Sequence, residues 1–344
     1  MSVMIGIDPH KATHTAAALD GDAVELGRLR LRASRQQVPE LLRWAEPFGP
    51  RVWAVESAQG MGYLLAQQLV AAGERVVDVP ATLASRVRVL SSGKSTKNDP
   101  NDARAVAVAA LHAPSLNVVR AEDHATVCRL LVKHAYDLGR WRNKQCCRLH
   151  VMVNELVPGG ITKEVVVSQA RSLLDAVEPS SVAGWHRRRL ALELVDDIAQ
   201  LDRRIRASRI ELARAVGASG TTLTELYGVG PYVAAMVIGY SGDPFRFATP
   251  ARFAAYNGTA PVEFSSGGRT INRLSRRGNR RLNHALHIAA VTQIRHRDSE
   301  GRAYYDRKIT EGKTPHEALR ALKRRISDRV WRRLVDDALH AALT

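Results

Sequence analysis

Residues 3–31, VMIGIDPHKATHTAAALDGDAVELGRLRL, decide how the first part of this chain folds. Val3 to Asp8 is a short apolar stretch, Thr13 to Leu19 is a second, and Ala23 to Leu31 is a third in which Val24, Leu26 and Leu29 alternate imperfectly. Short apolar stretches separated by turn chemistry predict strands, and Asp20-Gly21 is a hairpin signal because both residues tolerate the backbone of a tight turn. Three antiparallel strands are expected. The pattern then changes to a helix over Gln36 to Ala45, a strand over Arg51 to Val55, a helix over Tyr63 to Ala72 ended by Gly73, a strand over Arg75 to Val79, and further helix.

Three hairpin strands followed by alternating helix and strand is the order of an α/β, RNase H-like fold. In that topology the first and fourth strands are neighbours, so Asp8 at the end of one meets Glu56 at the end of the other. An acid emerging from an apolar strand is costly unless it is solvated, paired or bound to a cation. Further on, the polar run Ser91 to Asn98 reads as a loop, and Asp99-Pro100 opens a helix to about His112. Pro100 suits the first helical position, which makes Asp99 an N-cap, with Asp102 near the same face. Singly, Asp8 also fits a turn, Glu56 an exposed strand end, and Asp99 a helix cap. Together the four acids would gather charge that divalent cations neutralise, as phosphoryl transfer requires.

The 344 residues carry a formal net charge of +17, which favours a polyanionic partner over a small-molecule substrate. Most of the excess falls in residues 220–344. Three cysteines, Cys128, Cys146 and Cys147, lack zinc-site spacing, and their odd number argues against a disulfide framework. No apolar run reaches the roughly 18 residues of a membrane span, and no signal segment opens the chain. A soluble cytoplasmic protein without a membrane partner is expected.

From about Glu122 to Ala215 apolar residues recur at helical spacing: Leu130, Leu131, Leu138, Trp141, Leu149 and Val153, then Leu190, Leu194, Ile198, Leu201, Ile205 and Leu212. An antiparallel helical hairpin or coiled coil fits, and an ordinary helical bundle fits the periodicity equally. The last third is mainly helical. It opens with Gly228-Val229-Gly230-Pro231 before a helical run from Tyr232 to Gly239, a helix-hairpin-helix-like motif whose backbone N–H groups could face a phosphate. A helix start at Pro231 with no ligand fits as well. Arg269, Arg273, Arg276, Arg277, Arg280 and Arg281 follow in a stretch with no acid between Glu263 and Asp298. Gly267-Gly268, Gly278 and Asn279 allow close backbone approach, so nucleic-acid contact is favoured over a merely solvated face. Ser265-Ser266-Gly267-Gly268 is by default a turn, although a serine beside arginines could attack a phosphodiester.

Taken in order, these residues resemble a known family. Ile5-Gly6-Ile7-Asp8-Pro9-His10-Lys11, Val55-Glu56-Ser57, Lys97-Asn98-Asp99-Pro100-Asn101-Asp102-Ala103 and Gly228-Val229-Gly230-Pro231 are similar to motifs of DEDD transposases of insertion sequences, relatives of the Piv DNA invertases. So are Phe253 to Pro261, Ser265-Ser266-Gly267 and Arg276-Arg277-Gly278-Asn279-Arg280-Arg281-Leu282-Asn283. The resemblance implies a RuvC-like domain over residues 1–121, a coiled-coil domain over 122–219 and a transposase domain over 220–344. It implies Mg²⁺ bound by Asp8, Glu56, Asp99 and Asp102, and a nucleophilic serine that maps best to Ser266, with Ser265 adjacent. It also implies recombination of donor and target DNA through a phosphoserine intermediate. A structured noncoding guide RNA, or bridge RNA, and a tetramer whose acids and serine meet between protomers belong to the same expectation. Two other readings compete: a RuvC-like structure-specific nuclease that activates water, and a non-catalytic DNA or RNA architectural protein.

Overall fold

The computed structural model describes residues 2–92, 99–266, 269–274 and 278–343. Contacts divide the chain into two units, Met1–Glu122 and Asp123–Thr344.

In the first unit, β1 (Val3–Pro9), β2 (Thr13–Leu19) and β3 (Glu25–Arg32) form an antiparallel meander. Next come α1 (Gln37–Ala45), β4 (Arg51–Glu56), α2 (Tyr63–Ala71), β5 (Val76–Val79), α3 (Ala81–Ser92), α4 (Asp99–His112) and a two-residue β6 (Asn117–Val118). The sheet order is β3-β2-β1-β4-β5-β6, with β4 parallel to both β1 and β5, which is the RNase H-like arrangement expected from the element order. Alternation along the strands divides the core in two. Ile5, Ile7, Trp53 and Val55 face Leu41 of α1 and Leu65 and Leu69 of α2. Ala54, Val77 and Val79 face Ala84 of α3 and Val106, Ala109 and Ala110 of α4.

Two local expectations change. The third strand begins at Glu25, and Val24 and Leu26 are exposed, because β3 is the sheet edge and has no neighbour to cover them. Asp99 is the first residue of α4 rather than the residue before it. The short β6 carries too few residues to show a period.

The second unit begins with α5 (His124–Asn154), α6 (Val167–Asp175) and α7 (Val182–Ala218). Leu149 and Val153 near the end of α5 pack with Ala191, Leu194 and Ile198 near the start of α7, so the pair is antiparallel. Cys128 and Val132 at the other end of α5, with Leu212 and Val216 of α7, join a second core. That core is completed by α8 (Pro231–Ser241), α9 (Pro250–Asn257), α10 (Arg280–Arg295), α11 (Glu300–Thr310) and α12 (Pro315–Leu343), through residues such as Met236, Phe253, Leu286 and Ile326. Gly239 lies so close to the backbone of Arg129 that any side chain there would force α8 away from α5. Leu130 and Trp141, read from spacing as seam residues, are 60% and 49% exposed, while Cys128 and Cys146 are buried. A hairpin of β7 (Pro261–Ser266) and β8 (Arg269–Leu274) leaves the helical body between α9 and α10. No helix among the described residues is long and apolar enough to cross a membrane.

Candidate active site and nucleic-acid interface

Strand periodicity places two of the acids. Asp8 follows Gly6 by two residues and Glu56 follows Ala54 by two, so both share the sheet face covered by α3 and α4. Their strands pair in parallel up to Ile7 opposite Val55, one step before the two carboxylates. Gly6 brings the third. A Cβ at this position would fall on the carbonyl of Ala103 and the amide of Ala107, so only glycine lets α4 lie directly on β1. Asp102, one residue before Ala103, is thereby held beside Asp8. Gly6→Ala is expected to lower stability by about 2 kcal/mol, the usual scale for overpacking a filled core, measured by urea unfolding. An unchanged urea midpoint would mean that α4 retreats freely from the sheet.

The three carboxylates interact. Asp8 is only 6% exposed, and Asp102 is buried. Burial pushes the Glu56 carboxyl above the usual range, the negative charges of Asp8 and Asp102 push it further, and the Arg88 guanidinium opposes them. A hydrogen bond between Glu56 and Asp8 acts in the same upward direction. Arg88, from α3, pairs with Asp102, and His10 Nε2 lies 3.1 Å from Asp8 Oδ2. These groups line an open cleft of about 480 Å³. The segment after Glu56 is fixed by Ser57, whose φ of +51° turns the chain and whose N–H donates to Val79 O at 2.9 Å. It is fixed too by Asp78, which accepts from the Ala58 N–H at 2.8 Å. Burial raises the Asp78 carboxyl despite that bond.

Neither Arg88 nor Asp78 was anticipated from sequence. Asp78 is the single polar residue of an apolar strand and Arg88 is one of several polar residues of α3, and neither pattern carries a signal until the neighbours are known. Asp99 begins α4, and its side chain lies outside the described residues. Among the described residues no three His, Cys, Asp or Glu side chains already surround one point as metal ligands would, and Asp102 is engaged by Arg88 instead. The donor chemistry nevertheless suits a hard divalent cation such as Mg²⁺, because every acid is a carboxylate and their crowding is relieved by positive charge.

In the second unit, Ser265 and Ser266 belong to β7 itself, opposite Thr270 and Arg269 of β8, rather than to a turn. Strand pairing takes up backbone groups that a Gly-rich sequence leaves undetermined. Arg269 and Arg273 lie on β8, Arg276 and Arg277 fall outside the described residues, and Arg280 and Arg281 open α10. The root of the hairpin is a polar network. Asn279 caps α10 by accepting from the N–H groups of Arg281 and Leu282, and its own N–H donates to Tyr256 O at 2.7 Å. Asn283 Nδ2 donates to Asn257 O at 2.9 Å, and Asn257 Nδ2 donates to Ser327 Oγ at 2.8 Å. Gly258, with φ +73°, passes so close to Gly278 that a side chain at Gly278 has no room. Satisfied polar networks of this kind hold one register against its alternatives.

A groove of about 1160 Å³ runs between α5, α7 and the start of α8. Tyr136, Trp141 and Tyr232 line it together with Arg140 and Arg209. The Arg281 guanidinium stacks 3.8 Å from the Tyr136 ring centre, and Arg204 lies over Trp141. Gly228, with φ +81°, fits tightly against the Ala289 carbonyl of α10. Gly230 is the N-cap of α8, supplies no capping side chain and faces open space. Uncapped N–H groups, cations and aromatic faces side by side are the chemistry of a nucleic-acid strand site. Arg281→Ala is expected to weaken oligonucleotide binding and lower the slope of log K against log salt by about 1 in anisotropy titrations. An unchanged slope would place Arg281 away from the nucleic acid.

Residues 5–158 match the DEDD transposase family of IS110, described as "Transposase", and residues 220–306 match the "Transposase IS116/IS110/IS902 family". Together the two matches span more than half of the chain. The chain is 28% identical to the insertion element IS116 44.8 kDa protein of Streptomyces clavuligerus, over 98% of this chain and 96% of that protein. It is 26% identical to the insertion element IS900 42 kDa protein of Mycobacterium paratuberculosis, over 99% and 98%. Among solved structures, T. thermophilus RuvC in complex with a Holliday junction substrate matches 35% of this chain and 100% of that one, with 18% identity and a TM-score of 0.29. Strand order, not that last likeness, makes the first unit RNase H-like.

Proposed function

Because this chain belongs to the IS110/IS116 family of DEDD transposases, a family of DNA-cleaving and DNA-recombining enzymes, we propose that it recombines DNA through a serine-linked intermediate. The observation that carries the reading is the convergence of Asp8, Glu56 and Asp102 on one face of an RNase H-ordered sheet. Asp99, at the start of the helix that carries Asp102, completes the tetrad. These four would hold Mg²⁺, which when bound supplies charge neutralisation and polarisation at the scissile phosphate. The Ser266 hydroxyl attacks phosphorus, the new ester bond forms as the bond to the leaving sugar oxygen breaks, and that oxygen departs as a free hydroxyl. The ester conserves bond energy for rejoining. Arg269, Arg273, Arg276, Arg277, Arg280 and Arg281 neutralise the phosphate backbone, and the Gly228-Val229-Gly230 turn supplies N–H donors to it.

The three functional parts are a RuvC-like domain over residues 1–121, a coiled-coil domain over 122–219 and a transposase domain over 220–344. Holding four DNA ends calls for a tetramer, and pairing of a noncoding RNA with donor and target DNA would supply sequence specificity, leaving backbone and shape to the protein. The direct test is to purify the protein from its native locus and sequence any RNA that accompanies it. A defined RNA with segments complementary to both DNA partners supports the reading, and its absence from active protein overturns the guided part.

A second reading is a nuclease whose acids activate water. It is favoured by one observation: three acids and their cleft lie wholly within the first unit. Free 5′-phosphate ends with no attached protein would decide for it.

A further inference from the structure

We propose that the pocket beside the root of the β7–β8 hairpin is a phosphate site, in which Lys323 takes up a backbone phosphate of the bound nucleic acid. The pocket encloses about 520 Å³. One wall is the Gly258-Thr259-Ala260 segment leading into β7, and the other is the face of α12 that carries Arg320, Lys323 and Arg324. Lys323 is 8% exposed, and its Nζ donates to Asn283 Oδ1 at 2.6 Å. Among the described residues no carboxylate pairs with it. Burial brings its ammonium down to about 8.

The surroundings do not relieve that cost. Lys313 and Arg320 line the same pocket, and His287 of α10 is disfavoured as a cation first by its own burial and then by Lys323. Glu317, the acid in the lining, is occupied as a cap that accepts from the Thr314 N–H at 2.9 Å and the Thr314 hydroxyl at 2.7 Å. Arg324 is paired with Asp328. A buried ammonium is costly to keep charged, and an anion that joins it offsets that cost. The three N–H donors of Lys323 exceed its one bond to Asn283, which leaves donors for anionic oxygens. Among the described residues no aromatic side chain lines the pocket, so it suits a phosphate rather than a stacked base. Pro261, the first residue of β7, forms its rim, which places the phosphate at the foot of the hairpin that carries Ser266. This deepens the DNA-recombinase reading and rests on it only for the source of the phosphate.

The experiment compares the full-length protein with Lys323→Met and Lys323→Arg, without divalent metal. Thermal unfolding is followed in sodium phosphate and in sodium chloride at matched ionic strength. Wild type should gain more from phosphate than from chloride, Lys323→Met should melt higher than wild type in chloride and show no phosphate gain, and Lys323→Arg should keep part of it. Binding of a DNA duplex and of an RNA hairpin should weaken by about tenfold in Lys323→Met for at least one of them. Equal responses to phosphate and chloride, or a Lys323→Met response like that of wild type, overturn the site. Unchanged affinity for both oligonucleotides overturns the backbone as its source. Cleavage is not measured, so failure of the recombinase mechanism would leave these outcomes standing, and failure here would leave that mechanism untouched.

Discussion

Ser266→Ala is expected to abolish the covalent protein–DNA species and to reduce strand exchange on the order of 10³-fold or more, while DNA binding persists. Removing the hydroxyl removes the atom that would form the ester, but leaves the β7 backbone and its pairing with β8 intact. On the proposed function, binding is expected to come from elsewhere, from the arginines and the groove beside α8. Denaturing electrophoresis of reactions with labelled DNA measures the adduct, and anisotropy measures binding. An undiminished adduct in Ser266→Ala that vanishes in Ser265→Ala would move the nucleophile by one residue. An adduct that survives both changes would remove the hairpin from the chemistry.

What made the first unit legible is that its signals are local. Apolar strands, the Asp20-Gly21 turn and Pro100 each act within a few residues, and their order fixes which strands become neighbours. Asp8 and Glu56 could be placed for that reason: an acid at the end of an apolar strand is visible in one dimension, and the topology then brings two such ends together. Gly6 lies in the motif that ends in Asp8, but its purpose is the approach of a helix almost a hundred residues later, which no local pattern records. The same holds for Arg88, whose meaning depends on Asp102.

The helical unit was harder to read because helical periodicity gives a face without saying what covers it. Trp141 and Leu130 fit the spacing of α5, yet they lie outside the buried cores that α5 shares with α7 and α8, where smaller residues such as Cys128 and Val132 are enclosed. Trp141 instead lines the basic groove under Arg204. Lys323 is the extreme case. A lysine on an amphipathic helix is ordinarily solvated, and it is the approach of Gly258, Thr259, Ala260, Pro261 and Asn283 to α12 that encloses this one.

Asp8→Asn and Asp102→Asn are expected to suppress Mg²⁺-dependent cleavage alike, on the order of 10²-fold or more, while moving stability in opposite directions without metal. Asp8 is buried against Glu56, whose carboxyl is raised partly by the Asp8 charge, so a neutral amide of the same shape relieves repulsion and should leave the fold as stable or more so. Asp102 pairs with Arg88, whose side chain is partly buried. Its replacement leaves a guanidinium without its counter-charge and should cost about 1–3 kcal/mol, less than for a fully buried pair. Urea unfolding in a chelator gives the two stabilities, calorimetric titration with Mn²⁺ gives metal affinity, and relaxation of a supercoiled substrate in Mg²⁺ gives cleavage. Loss of activity and of Mn²⁺ binding in both variants, with destabilisation confined to Asp102→Asn, is the signature of acids that act as ligands rather than as caps or exposed turns. If either variant recombined DNA at the wild-type rate in Mg²⁺, that acid would not belong to the metal site. If both lost activity in proportion to lost stability, the cluster would be holding the fold and not the phosphate.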